Sequence, residues 1–264
     1  MTSTVTLPDG QVVGYTDHGG DGPVVVLLHS YLMDGRMFAP QVAAFGDRFR
    51  CVTIDERGHG ATPAAGPFDY WDVARDVLGV LDHLGVGRAA VVGTSQGGFV
   101  ALRLALTAPD RIAAIALLGT SAVAEDPAVA EGYRQMTAAW IAEGAPDAII
   151  GGVAKICLGD FDASEWTRRW ATYPPERLTL TINALVGRDS VLERAGEIGC
   201  PALVLHGTAD LAYPAERAKE LASALPAAEP LVLVEGGAHF LSLSHAAEVE
   251  PHLTGFLSRH AQSG

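Results

Sequence analysis

The chain has 264 residues, 48% of them hydrophobic, with 30 glycines. A chain of this size and composition buries a core large enough to fold without disulfides or a structural metal. Its 18 Lys and Arg stand against 31 Asp and Glu, a formal charge of −13, which argues against a nucleic-acid or polybasic membrane-binding protein.

The predicted elements begin with a hairpin, residues 4–7 and 11–16 around the turn Pro8-Asp9-Gly10. Residues 1–11 lack a basic start followed by an apolar core, so no secretory leader is expected. No apolar run approaches membrane-spanning length, residues 111–124 coming nearest. Cys51, Cys157 and Cys200 are odd in number and widely spaced, which speaks against a disulfide framework or a Cys-based zinc site. A soluble cytoplasmic protein is the resulting expectation.

Residues 24–28 then form a continuous apolar run, Val-Val-Val-Leu-Leu, followed by others at 51–54, 89–92, 112–118, 202–205 and 231–234. Runs without polar alternation are the mark of strands buried on both faces of a parallel sheet. Helical patterns separate them. Residues 71–84 place Val73, Val77, Val80, Leu81 and Leu84 on one stripe before Gly85, and residues 97–107 and 215–225 follow their own strands in the same way. The alternation predicts an α/β chain with right-handed crossovers and helices on both faces of the sheet. It breaks between residues 122 and 199, where helix-like segments at 128–143, 146–158, 164–173 and 176–186 have no strand among them. The expected organisation is a core of residues 1–121 and 200–264 with an inserted helical cap, residues 122–199. The sequence contains no internal repeat and no low-complexity tract.

Gly93-Thr94-Ser95-Gln96-Gly97 carries the chemistry. A Gly-x-Ser-x-Gly pattern between an apolar strand and a helix places the serine hydroxyl on a tight, exposed turn. A serine hydroxyl is a weak nucleophile until an oriented base takes its proton. Asp210 lies in the exit loop of the 202–205 strand and His239 in that of the 231–234 strand, both at carboxyl ends where sites in open α/β sheets form. His83, His245, His252 and His260 are assigned to helices, His18 follows the hairpin, and His206 precedes the acid loop. Asp126, beside Glu125, is the rival acid, but the Pro127 that follows marks it as a helix start. Donors for an oxyanion are expected from the backbone N–H groups of Gln96 and of Tyr31, which follows His29-Ser30.

Together these residues resemble the α/β-hydrolase superfamily over essentially the whole chain. Asp55-Glu56-Arg57-Gly58-His59-Gly60 is similar to its turn after the second parallel strand, Leu205-His206-Gly207 leading to Asp210 to its acid loop, and Gly237-Ala238-His239-Phe240 to its histidine loop. Some relatives carry their acid after the preceding strand, where Asp126 stands. Within the superfamily the chain is most similar to small bacterial serine esterases, enol-lactonases and cofactor-free haloperoxidase-like hydrolases. Epoxide hydrolases and haloalkane dehalogenases share the layout but use an aspartate where Ser95 stands. Two positions depart from the pattern: Ser30 replaces the usual glycine of the oxyanion loop, and Gln96 the usual Met or Leu.

The resemblance implies cleavage of a carboxylic ester or lactone through Ser95, His239 and Asp210, without cofactor or metal. A small-molecule substrate with a hydrophobic acyl chain, an aryl ester or a large lactone is expected rather than a small charged acid, walled by Ser30, Met33, Met136, Trp140, Trp166, Trp170 and Leu241, with Tyr173 among the aromatics of the same stretch. The aromatics fit a helical core as well as a pocket wall. A perhydrolase or haloperoxidase activity on the same triad, a carbon–carbon bond hydrolase and a ligand receptor on the hydrolase fold stay open, as does oligomeric state.

Overall fold

A computed structural model describes residues 1–261. Among these residues eight strands form one sheet: β1 (Ser3–Thr6), β2 (Val12–Asp17), β3 (Val24–Leu28), β4 (Arg50–Ile54), β5 (Ala89–Thr94), β6 (Ile112–Leu118), β7 (Ala202–Gly207) and β8 (Val232–Val234). Their spatial order is β1-β2-β4-β3-β5-β6-β7-β8. The hairpin β1–β2 joins β4 antiparallel, and every pairing from β4 to β8 is parallel.

Successive strand residues point to opposite faces, and both faces are covered, which is why the runs are apolar throughout. Val26, Leu28, Val91, Ile115, Leu117 and Val204 enter one core layer. Val25, Leu27, Val92, Ala116, Leu203 and Leu205 enter the other.

Among the described residues ten α-helices complete the fold: α1 (Ala39–Phe45), α2 (Tyr70–His83), α3 (Gln96–Thr107), α4 (Pro127–Glu143), α5 (Asp147–Leu158), α6 (Ser164–Trp170), α7 (Pro175–Val186), α8 (Ala215–Ala224), α9 (Leu241–Ser244) and α10 (Ala246–His260). The α2 stripe of Val73, Val77, Val80 and Leu81 packs in the first layer with Phe99 and Val100 of α3 and Leu221 of α8. Phe45 of α1 and Val249, Leu253, Phe256 and Leu257 of α10 fill the second. Asp69 starts α2 with a reciprocal capping box to Asp72, satisfying donors that the first turn would otherwise leave unpaired.

Helices α4–α7 occupy the stretch between β6 and β7 and correspond to the four helix-like segments of the sequence. The start and end of this insertion are stapled together, Val191 N–H donating to Ala122 O at 2.8 Å. β7 runs two residues beyond its apolar run because His206 and Gly207 pair with Leu233 and Val234 of β8. β8 is one residue shorter than expected, beginning at Val232. Among the described residues no helix is long and apolar enough to cross a membrane.

Candidate active site

The site begins where β5 runs into α3. Ser95 joins them with φ 52° and ψ −111°, a left-handed conformation that costs a non-glycine residue about 1–3 kcal/mol. The surroundings hold it there. Ser95 N–H donates to Leu118 O at 2.8 Å, and the Thr120 hydroxyl donates to Ser95 O at 2.7 Å. The glycines on either side are required by space: a Cβ on Gly93 would meet Gly97 C at 2.3 Å, and one on Gly97 would meet Leu28 O at 2.1 Å.

His239 Nε2 lies 2.9 Å from Ser95 Oγ, and its Nδ1 lies 2.8 Å from Asp210 Oδ2. An ionised carboxylate only accepts, so the proton sits on Nδ1 and Nε2 is free to accept from the serine. Asp210 is oriented in turn, its Oδ1 accepting from the N–H groups of Ala212 at 2.8 Å and Tyr213 at 2.9 Å. Burial opposes ionisation of Asp210, but the adjacent His239 and the Tyr213 N–H outweigh it and hold the carboxyl below its usual range. Asp126 is engaged elsewhere. It caps α4, accepting from Ala128 N–H at 2.9 Å and Val129 N–H at 3.2 Å ahead of Pro127.

Gln96 is the first residue of α3, where a helix offers no internal acceptor for the backbone N–H. Its side chain turns to Tyr70, whose hydroxyl donates to Gln96 Oε1 at 3.3 Å. The loop after β3 is braced from behind. His29 Nε2 accepts from Glu56 N–H at 2.8 Å, so Nδ1 carries the proton and donates to Ser30 O at 2.8 Å. Gly97 N–H donates to His29 O at 3.1 Å, joining this loop to the serine turn. The Asp55–Gly60 turn is a brace of the same kind. Asp55 accepts from Gly35 and Ala61 N–H, both at 2.9 Å, and Arg57 forms a two-point pair with Asp76.

Above Ser95 and His239 is a cavity of about 510 Å3, including its open mouth. Tyr31, Tyr133, Met136, Val153, Ile156, Cys157, Leu185, Ala212, Tyr213 and Phe240 line it. Burial pushes the Tyr133 phenol up to about 12 and raises the Tyr31 and Tyr213 phenols and the Cys157 thiol as well. All four are therefore neutral near pH 7, and the wall suits an uncharged, apolar ligand.

Of the seven pocket residues expected from the sequence, Met136 lines this cavity. The others lie elsewhere, and their positions correct the expectation. Trp140, Trp170 and Leu241 are buried in the second core layer, where bulky side chains at helical spacing fill volume between elements. Trp170 also donates its indole N–H to Leu32 O at 2.9 Å, pinning the loop after β3. Trp166 and Met33 flank a separate surface groove with Arg36, Arg169 and Arg177, and Ser30 is fully buried. The residues that line the cavity in their place carried a signal. Tyr133 precedes Met136 by three on α4, while Val153, Ile156 and Cys157 share one face of α5 at the spacing i, i+3, i+4. Ala212, Tyr213 and Phe240 adjoin the acid and histidine in sequence. Among the described residues no group of three or more His, Cys, Asp or Glu is placed to hold a metal ion.

A model of the alpha/beta hydrolase fold matches residues 23–149. The chain is 32% identical over 247 residues to the pimeloyl-(acyl-carrier protein) methyl ester esterase of Chromobacterium violaceum, spanning 86% of this chain and 89% of that protein. It is 28% identical over 215 residues to 3-oxoadipate enol-lactonase 1 of Acinetobacter baylyi, spanning 78% of this chain and 79% of the relative. The crystal structure of the enol-lactonase from Burkholderia xenovorans LB400 matches with a TM-score of 0.88 at 28% identity, over 97% of this chain and all of that one (100%). With a strained serine turn, the strand order that carries it and relatives of this identity and coverage, the chain belongs to the alpha/beta hydrolase fold family.

Proposed function

We propose that the protein hydrolyses a carboxylic ester or lactone with an apolar acyl portion, using Ser95 as nucleophile, His239 as base and Asp210 as the acid that orients it. The observation that carries this reading is the unbroken relay from Ser95 Oγ through His239 to Asp210 at the floor of an apolar cavity. The names of the relatives, an esterase and two enol-lactonases, agree with it.

In the first half-reaction Ser95 Oγ attacks the acyl carbon while its proton passes to His239 Nε2. The imidazolium that results keeps its Nδ1–H on Asp210 Oδ2 and is stabilised by that charge. The backbone N–H groups of Gln96 and Tyr31 take the oxyanion, each contributing about 3–4 kcal/mol to the barrier reduction. His239 returns its proton to the leaving oxygen as the C–O bond breaks, giving the acyl-serine and an alcohol. For a lactone, that alcohol remains part of the acyl group. Water, deprotonated by His239, then attacks the acyl-serine, and the proton goes back to Ser95 Oγ as the acid leaves. Met136 of α4 and Val153 and Ile156 of α5 line the cavity and are the side chains against which the acyl chain would pack.

The test is covalent labelling by a fluorophosphonate, located by peptide mass spectrometry, with turnover measured on 4-nitrophenyl esters and lactones. The expected result is a single adduct on Ser95 with multiple turnover, both lost in Ser95→Ala while the fold is retained. Near wild-type hydrolysis by Ser95→Ala would overturn the assignment.

A further inference from the structure

The cavity residue Tyr213 contacts both members of the acid–histidine pair. Its N–H donates to Asp210 Oδ1 at 2.9 Å, and its carbonyl accepts from His206 Nε2 at 3.1 Å. Its ring meets His239 edge-on, with centroids 5.2 Å apart at 85°. The far end of that ring is anchored. The Tyr213 hydroxyl donates to Glu125 Oε2 at 3.1 Å, inside the protein.

Glu125 is itself clamped. Arg188 Nη1 reaches Glu125 Oε2 at 3.1 Å, with both side chains only 1% exposed. Arg217 of α8 reaches Oε1 at 3.3 Å and lays its guanidinium 4.7 Å from the Tyr213 ring centroid. The location matters as much as the distances. Glu125 stands where the α4–α7 insertion leaves β6, and Arg188 stands just after α7, where the insertion returns. Arg188 also donates to Val123 O at 3.2 Å and Leu185 O at 2.8 Å, holding both ends of the insertion at once.

A buried ion pair is a poor source of net stability compared with apolar packing of the same volume. One that ties the ends of an insertion to the residue holding the acid has a geometric use instead. We infer that Glu125, clamped by Arg188 and Arg217, is a positioning residue for Asp210 and His239, acting through the hydroxyl of Tyr213. The inference rests on the Ser95–His239–Asp210 reading. Proton transfer tolerates little misplacement of its partners, so loss of the anchor lowers turnover more than it weakens substrate binding.

The experiment is a double-mutant cycle of Tyr213→Phe, Glu125→Gln and the pair, with kcat and KM measured on 4-nitrophenyl butyrate and thermal midpoints recorded alongside. A hydrogen bond to an ionised group is worth up to about a hundredfold in an equilibrium, of which only the part realised in the transition state reaches kcat. Tyr213→Phe, which keeps the ring and its backbone contacts, is expected to lower kcat roughly tenfold with KM within about twofold. The double variant is expected to lose little more than the worse single one, because both substitutions act on one link, Glu125→Gln by removing its charge and Tyr213→Phe by removing its donor. Unchanged kcat in Tyr213→Phe overturns the inference, whatever happens to the midpoint. So does a rise in KM at constant kcat, which would make the ring a cavity wall alone, and so do fully additive losses. Should Glu125→Gln fail to fold with Arg188 left unpaired, Tyr213→Phe decides by itself. Fluorophosphonate labelling of the wild type separates the two levels: absence of a Ser95 adduct refutes the triad, whereas a labelled, active wild type with an indifferent Tyr213→Phe refutes only the anchor.

Discussion

Replacing Asp210 by Asn changes one atom and confronts the site with two unfavourable choices. The Asp210 carboxylate accepts three N–H groups, those of Ala212 and Tyr213 on Oδ1 and that of His239 Nδ1 on Oδ2. An Asn side chain has one acceptor and one donor. If its oxygen keeps the two backbone donors, its NH2 faces His239 Nδ1, which must then be the unprotonated nitrogen. The proton moves to Nε2, toward Ser95 Oγ, and the base is lost. If the amide flips to keep the productive tautomer, its NH2 confronts two backbone N–H groups in the interior. Each buried donor left unmade costs about 1–3 kcal/mol, together about 2–6 kcal/mol. At about 1.4 kcal/mol per decade that is a penalty of roughly 30- to 20,000-fold. Loss of the negative charge beside the developing imidazolium moves the result toward the upper end, to a fall in kcat of about 10^3 to 10^4. The assay is kcat on 4-nitrophenyl butyrate at pH 8, with circular dichroism to establish that the variant folds. Asp210→Asn retaining more than a tenth of wild-type kcat, or Asp126→Asn losing as much, would refute the reasoning. A pH dependence accompanies it. Because the folded Asp210 carboxyl is held below its usual range, the stability it contributes is present above the unfolded value near pH 4 and lost as pH falls through the folded one. The difference in thermal midpoint between wild type and Asp210→Asn therefore shrinks as pH falls below about 4.

Gly97→Ala puts a methyl 2.1 Å from Leu28 O at the serine turn; a loss of about 3 kcal/mol or more in urea unfolding, with activity abolished, is expected, and a wild-type midpoint would count against the turn geometry. Ile156 lines the cavity mouth and is 37% exposed, so Ile156→Asp should lower kcat/KM about tenfold on a hexanoate ester and about threefold or less on the acetate. Equal losses on both esters would move the acyl chain elsewhere. Trp170→Phe removes the indole N–H donor to the buried Leu32 carbonyl, a cost of about 1–3 kcal/mol. The midpoint should fall by about 2–4 °C per kcal/mol; no change would mean that the loop after β3 does not depend on this contact.

Much of the fold was legible because its causes are local. Val24–Leu28, Ile112–Leu118 and Ala202–Leu205 read as strands because both faces of the sheet are covered and nothing polar is tolerated along them. The meeting of Ser95, Asp210 and His239 was legible for a related reason. Each lies within a few residues of a strand's carboxyl end, and parallel strands bring those ends to one edge of the sheet however far apart they are in sequence. The glycines beside Ser95 announce a close approach of backbone to backbone, a requirement written into residue type.

The cavity wall was not legible in the same way. Trp140, Trp166 and Trp170 and the cavity-lining residues Tyr133, Val153 and Ile156 lie in the same α4–α7 insertion and have the same apolar character. Periodicity says that a helix has an apolar face, not whether that face meets the sheet or the substrate. That choice is made by the angle at which the insertion docks. The docking is set by contacts between residues far apart in sequence, such as the Trp170 indole on Leu32 O and the Tyr173 hydroxyl on Gly58 O. Glu125 shows the limit most plainly. In sequence it is one acid beside another, and only the tertiary structure separates them. Asp126 is spent on capping its own helix, while Glu125 points inward to Arg188, Arg217 and Tyr213, which the chain supplies from 63, 92 and 88 residues away. Strand propensity, turn chemistry and the order of motifs act over a few residues and can be read directly. Which buried charge meets which partner depends on where whole elements pack, and no local rule carries that information.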